Sequence, residues 1–201
     1  MEQTAVQRLA RVLRVLVLAV FFLNLLVMPL VPGLSALLAE GGPGMVRLAL
    51  AAALDLPGYE GMGFSSLPLF FLSSLWAVWA VAGRGEVTVA LLTVFFWLCG
   101  TCTALILWQA KTVLDTILAG DPFQLANARA LRRAAVCCWI ISGAALVRLV
   151  LWLWAEGNSD PLFTYTALFV PAFFMGGLLF QVMSALFRQA AELKEDQDLT
   201  I

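Results

Sequence analysis

VTVALLTVFFWLCGTCTALILWQA, residues 87–110, is a run of 24 residues without one charged side chain. A helix rises about 1.5 Å per residue, so roughly 20 such residues cross a hydrocarbon core of ~30 Å. Exposed to water, the same surface would aggregate, so the run reads as a membrane span. Three further stretches share its character: residues 12–31, 134–155 and 162–187, none with more than one charged residue. The fold class expected is all-α, a polytopic membrane helix bundle with four transmembrane helices. All 201 residues then form a single integral membrane domain.

Composition agrees. Hydrophobic residues make up 62% and charged ones 12%, against about 45–50% and 25% in soluble domains. The net charge of −1 excludes a strongly basic nucleic-acid surface, so no direct nucleic-acid binding is expected. The chain has no histidine, which removes the usual proton shuttle and the commonest metal ligand. Near the N-terminus, Arg8, Arg11 and Arg14 precede an apolar run that reaches residue 31. A cleavable signal core is only about 7–15 residues long, so an uncleaved first span is expected.

Lys and Arg fall on alternate breaks between the spans. The first segment has its three arginines, the 111–133 loop has Lys111, Arg129, Arg132 and Arg133, and the 188–201 tail has Arg188 and Lys194. The break after the third span carries only Glu156 and Asp160. The positive-inside bias therefore puts both termini and the 111–133 loop in the cytoplasm, a multi-pass arrangement in the cell membrane. Trp152 and Trp154 are expected at the outer interface, Trp108 and Trp139 near the inner one.

The 32–86 region would lie outside. Within it, residues 64–82 (FSSLPLFFLSSLWAVWAVA) are long enough to cross, but a lone crossing would put one arginine cluster on the wrong side. A re-entrant or interfacial segment fits the charges better, a fifth span being the alternative. Residues 45–56 form a helical candidate too short to span. Pro171 predicts a kink in the fourth span, and Gly176-Gly177 and Ser142-Gly143-Ala144-Ala145 supply small residues for close helix packing.

The cytoplasmic loop has its own grammar. Helix is expected to run past Lys111 to Ala119, with Gly120 closing it in the left-handed conformation. Asp121 is expected to cap a new helix with Pro122 in its first turn, and Phe123 to fold back onto the bundle or the interface. Arg129, Arg132 and Arg133 lie at helical spacing beside the leaflet, where they anchor to anionic headgroups.

Candidates for chemistry are few. Arg148 is the clear ionisable residue inside a span and snorkels or pairs unless it serves a ligand or ion. Asn24 and Gln181 read as buried amides bonded between helices. Together the three are a candidate intramembrane polar site. Cys99 and Cys102 form a CxxC within the second span, and Cys137 and Cys138 begin the third. Thiols at that depth are desolvated, no zinc set is built from them, and no catalytic, cofactor or metal site is assigned.

Two short stretches resemble a known family. Gly120-Asp121-Pro122-Phe123, then Asn127, then Leu131-Arg132, resembles the G-x-P-F-x3-N-x3-L-R signature of a bacterial membrane family known as a domain of unknown function, DUF2975. Residues 193–201 (LKEDQDLTI) are similar to that family's L-K-E-E-x-D-L-T-I/V terminus. The resemblance runs from about residue 87 onward, and the 64–82 segment departs from the family's shorter members. It implies a four-span protein whose gene commonly neighbours one for a small helix-turn-helix regulator. A candidate partner surface follows from the two motifs: Gly120, Asp121, Pro122, Phe123, Asn127, Arg132, Glu195, Asp198, Leu199 and Ile201. The leading expectation is a non-enzymatic sensory or regulatory partner of such a regulator. A small transporter or channel subunit using Arg148, Asn24 and Gln181 is the alternative. A disulfide–quinone oxidoreductase, with a Cys99–Cys102 disulfide, stands third.

Overall fold

The computed structural model describes residues 8–28, 30–31, 87–156 and 165–198. Four helices carry them: α1 (Arg8–Met28), α2 (Val87–Leu118), α3 (Leu125–Glu156) and α4 (Tyr165–Asp198). There is no strand among the described residues. Each helix is long and apolar enough to cross a membrane. The expectation of an all-helical protein with four such helices holds. The 45–56 and 64–82 segments lie outside the described residues.

The three later helices outrun the bilayer. At 32 to 34 residues each is roughly 50 Å long, well beyond a ~30 Å core. Measured against the apolar runs 87–110, 134–155 and 162–187, the charge-bearing extensions are residues 111–118, 125–133 and 188–198, and there the candidate site is built.

The chain divides into two compact units, one of residues 1–24 and 101–201, the other of residues 25–100. In the second, Phe95 and Phe96 meet edge to face with centroids 6.1 Å apart. In the first, the α1 residues and α2 residues run antiparallel. Arg14 pairs with Asp115 at 2.9 Å, and Phe21 lies against Trp108 with centroids 6.0 Å apart. Ala10, Val17 and Leu114 form a small buried core. Asp115 also holds Lys111 at 3.3 Å, and Lys111 sits 5.0 Å over the Trp108 ring. Arg14 is thus a partnered residue as well as a flanking positive charge.

The α3 helix is the packing hub. It buries 44% of its apolar stretch, against 6%, 6% and 11% for α1, α2 and α4. Ala128, Ala135, Ser142 and Ala145 are buried at helical spacing, small side chains that let α4 come close, and Leu149 is buried a turn further on. Two hydrogen bonds fix an antiparallel pairing: Ser184 Oγ donates to the Ala128 carbonyl at 2.7 Å, and Ser142 Oγ to the Val170 carbonyl at 2.8 Å. The α4 helix is assigned as continuous through Pro171. Gly177 is buried under the Trp139 ring, whereas Gly143 and Gly176 face open space. The packing role foreseen for the small residues falls on Ser142, Ala145 and Gly177. With both pairs antiparallel, the start of α1, the end of α2, the start of α3 and the end of α4 share one end of this unit.

Candidate functional site

The connection from α2 to α3 begins with a left-handed residue. Gly120 has φ +83°, a region that costs any residue with a Cβ. Its N–H donates to the Ile117 carbonyl at 3.2 Å, and the Asp121 N–H to the Thr116 carbonyl at 3.1 Å. This pair of bonds is a Schellman motif, which satisfies carbonyls that the helix end would leave bare. Helix to about Ala119 with Gly120 as its stop is what the sequence predicts.

Asn127 locks the turn from the other side. It is wholly buried, at 0% exposure, and its Nδ2 donates both to Thr116 Oγ1 at 2.6 Å and to the Pro122 carbonyl at 2.7 Å. Thr116 in turn donates to the Val113 carbonyl at 2.7 Å. One amide therefore ties the last turns of α2, the loop and the first turn of α3.

Asp121 does not cap α3. The helix starts at Leu125, three residues later than an Asp121 cap would require, which leaves Pro122 in the loop. The carboxylate is engaged elsewhere: Gln124 Nε2 donates to one oxygen at 2.9 Å, and Lys194 Nζ to the other at 2.8 Å. A long-range cation has displaced the local capping role. Phe123 folds back as expected, its ring 6.0 Å from that of Phe187 on α4, and remains half exposed.

Ser184, Phe187, buried Ala191 and Lys194 recur every three or four residues along one face of α4. That face receives Ala128, Phe123 and Asp121. The loop and the distal third of α4 are consequently one surface. Asp121 and Phe123 meet α4 directly, Gly120 and Pro122 lie in the same loop, and the wholly buried Asn127 holds that loop from beneath without reaching the surface. Glu195 is exposed just beyond Lys194, and Asp196 beside it is exposed as well. Asp198 ends α4, and Leu199 and Ile201 lie outside the described residues. Arg132 departs from the group and lines a cleft between α2 and α3. Sequence reasoning missed Thr116, Ser184, Phe187 and Lys194 as partners. The helical recurrence of the last three was the available signal.

The Lys194 ammonium, with help from the Gln124 amide, holds the Asp121 carboxyl below the usual carboxylate range. A depressed folded value means that the contact contributes above the unfolded value of about 3.9 and is lost as pH falls through the lower folded one. The tie is therefore complete at neutral pH. In Lys194→Met, Asp121 is expected to titrate at higher pH, nearer the ordinary range, readable by carboxyl carbon NMR. An Asp121 titration identical in both proteins would show that the two residues do not meet.

The intramembrane candidates do not form an enclosed site. Gln181 is exposed on α4, which corrects its reading as a buried amide. Asn24 is half buried with its Oδ1 enclosed and lacking a hydrogen-bond donor, and Arg148 is half buried on α3. The cysteines are all free thiols. Cys99 and Cys102, whose disulfide the third reading requires, are not bonded to each other. Among the described residues no group of three or more Cys, Asp or Glu is placed to hold a metal.

A family model described as a protein of unknown function (DUF2975) matches residues 51–201. The match starts further upstream than the motifs alone reach and takes in residues 64–82. No curated protein and no solved structure matches the chain.

Proposed function

The chain belongs to the DUF2975 family of proteins of unknown function, and from that premise we propose that it is a non-enzymatic membrane protein of sensory or regulatory type. Its working surface is the joined face of the 119–124 loop and distal α4. The observation that carries this reading is the Asp121–Lys194 contact at 2.8 Å. It makes one surface of two stretches 73 residues apart, the two that carry the family resemblance.

Charge supplies the orientation. Arg8, Arg11, Arg129, Arg132, Arg133 and Arg188 gather at the same end of the helices as this face, and the positive-inside bias assigns that end to the cytoplasm. Charge also suggests the partner. Exposed Glu195 and Asp196 at the end of α4 suit a basic surface, such as that of a small helix-turn-helix DNA-binding regulator. In this reading the protein holds the regulator at the membrane and releases it on a signal.

The test is co-purification from native membranes in mild detergent. The unaltered chain is expected to bring down a basic DNA-binding protein. Glu195→Lys combined with Asp196→Lys should reduce that capture at least ten-fold at unchanged membrane levels, since like charges across an interface cost several kcal/mol. Equal capture by both forms contradicts the reading.

A further inference from the structure

We propose that the cleft between α2 and α3 binds the phosphate group of an anionic phospholipid from the leaflet on the loop-bearing side. The cleft has a volume of about 440 Å³. Arg129, Arg132 and Arg133 line it from α3, and Gln109 adds an amide from α2. This inference uses a different surface from the partner reading and stands or falls without it.

The arginines are set apart by what they lack. Arg14, Lys111, Arg188 and Lys194 each sit against a carboxylate at 2.8 to 3.3 Å. None of Arg129, Arg132 and Arg133 has a carboxylate partner among the described residues, and all three are exposed. Like charges at i,i+3 and i,i+4 repel, so three unpaired guanidinium groups around one cleft destabilise the empty site. An anion relieves that repulsion. Guanidinium is suited to phosphate because its planar fork donates two parallel hydrogen bonds.

The rest of the cleft argues for a lipid over a free ion. Its other walls are Leu105, Val136 and Cys137, apolar groups with nothing to offer inorganic phosphate. Beyond Val136, the exposed Ile140 continues an apolar path along α3. A phospholipid matches this sequence of surfaces, with its phosphate at the arginines and its glycerol and upper acyl chains against the apolar wall. Basic pockets between membrane helices are known to take headgroups in this way.

Native mass spectrometry of the full chain, with phosphatidylglycerol or phosphatidylcholine added to the detergent, tests the assignment. Phosphatidylglycerol is expected to bind about ten-fold more tightly, because choline's positive charge opposes the arginines. Each charge near a membrane surface contributes roughly five-fold in binding, so replacing all three arginines by Gln should weaken phosphatidylglycerol binding about 100-fold. Leu105→Trp keeps every charge and fills the cleft, and should weaken it as well, which preserves the test if the triple variant folds poorly. Arg188→Gln, a paired cation outside the cleft, should leave binding unchanged. Equal binding of both lipids, full binding by the triple variant, or an equal loss in Arg188→Gln would overturn the proposal. Displacement of the lipid by millimolar inorganic phosphate would assign the site to a soluble anion and overturn the lipid assignment.

Discussion

Asn127→Asp is expected to destabilise the protein by about 3–5 kcal/mol, the cost of a buried charge without a partner. The amide at 127 is wholly buried and donates twice, to Thr116 Oγ1 and to the Pro122 carbonyl. A carboxylate donates to neither and sets negative charge against two acceptors. A protonated carboxyl restores one bond of the two. Asn127→Ala removes the bonds without adding charge and should cost less, about 1–3 kcal/mol. Thermal unfolding in mild detergent separates the cases. The expected order of melting temperature is unaltered chain, then Ala, then Asp. An Asp variant that melts with the unaltered chain would mean that Asn127 does not hold the loop.

The second large effect has an internal control one residue away. A Cβ added at Gly177 would clash with Nε1 and Cδ1 of the Trp139 indole, while one at Gly176 would meet nothing within 4 Å. Ala for Gly in a helix is favourable by roughly 1 kcal/mol. Gly176→Ala should therefore be neutral or stabilising. At Gly177 the same change forces α3 from α4, or the indole from its place, at about 1–3 kcal/mol. Melting temperature should fall only in Gly177→Ala, and Trp139 emission should shift only in that variant. Equal behaviour of the two variants would mean that the helices do not meet at Trp139.

Much of the fold is legible in the sequence because membrane spans are the strongest signal a chain carries. Their extension past the bilayer was legible too, through Gly120 at the end of α2 and the helical spacing of Arg129, Arg132 and Arg133. Which face of each span is buried was not. In water the apolar side of a helix is its buried side, but in lipid both sides are apolar, so periodicity fades. Gln181 was misplaced for this reason. Asp121 failed differently. Asp followed by Pro is a sound local capping signal, and it was overruled by Lys194, which no local reading can see. The candidate site was legible as two separate motifs, and their union depends on the antiparallel pairing of α3 and α4, which brings residue 194 back to residue 121.

That union is the central claim, and photo-crosslinking in native membranes tests it most directly. A photoreactive side chain is placed in turn at Phe123 in the loop, at Glu195 at the end of α4, and at Trp154, far along α3 from the loop. Positions 123 and 195 are expected to capture the same basic DNA-binding protein, and position 154 none of it. Capture of different proteins at 123 and 195, or of lipid alone at both, would contradict the account.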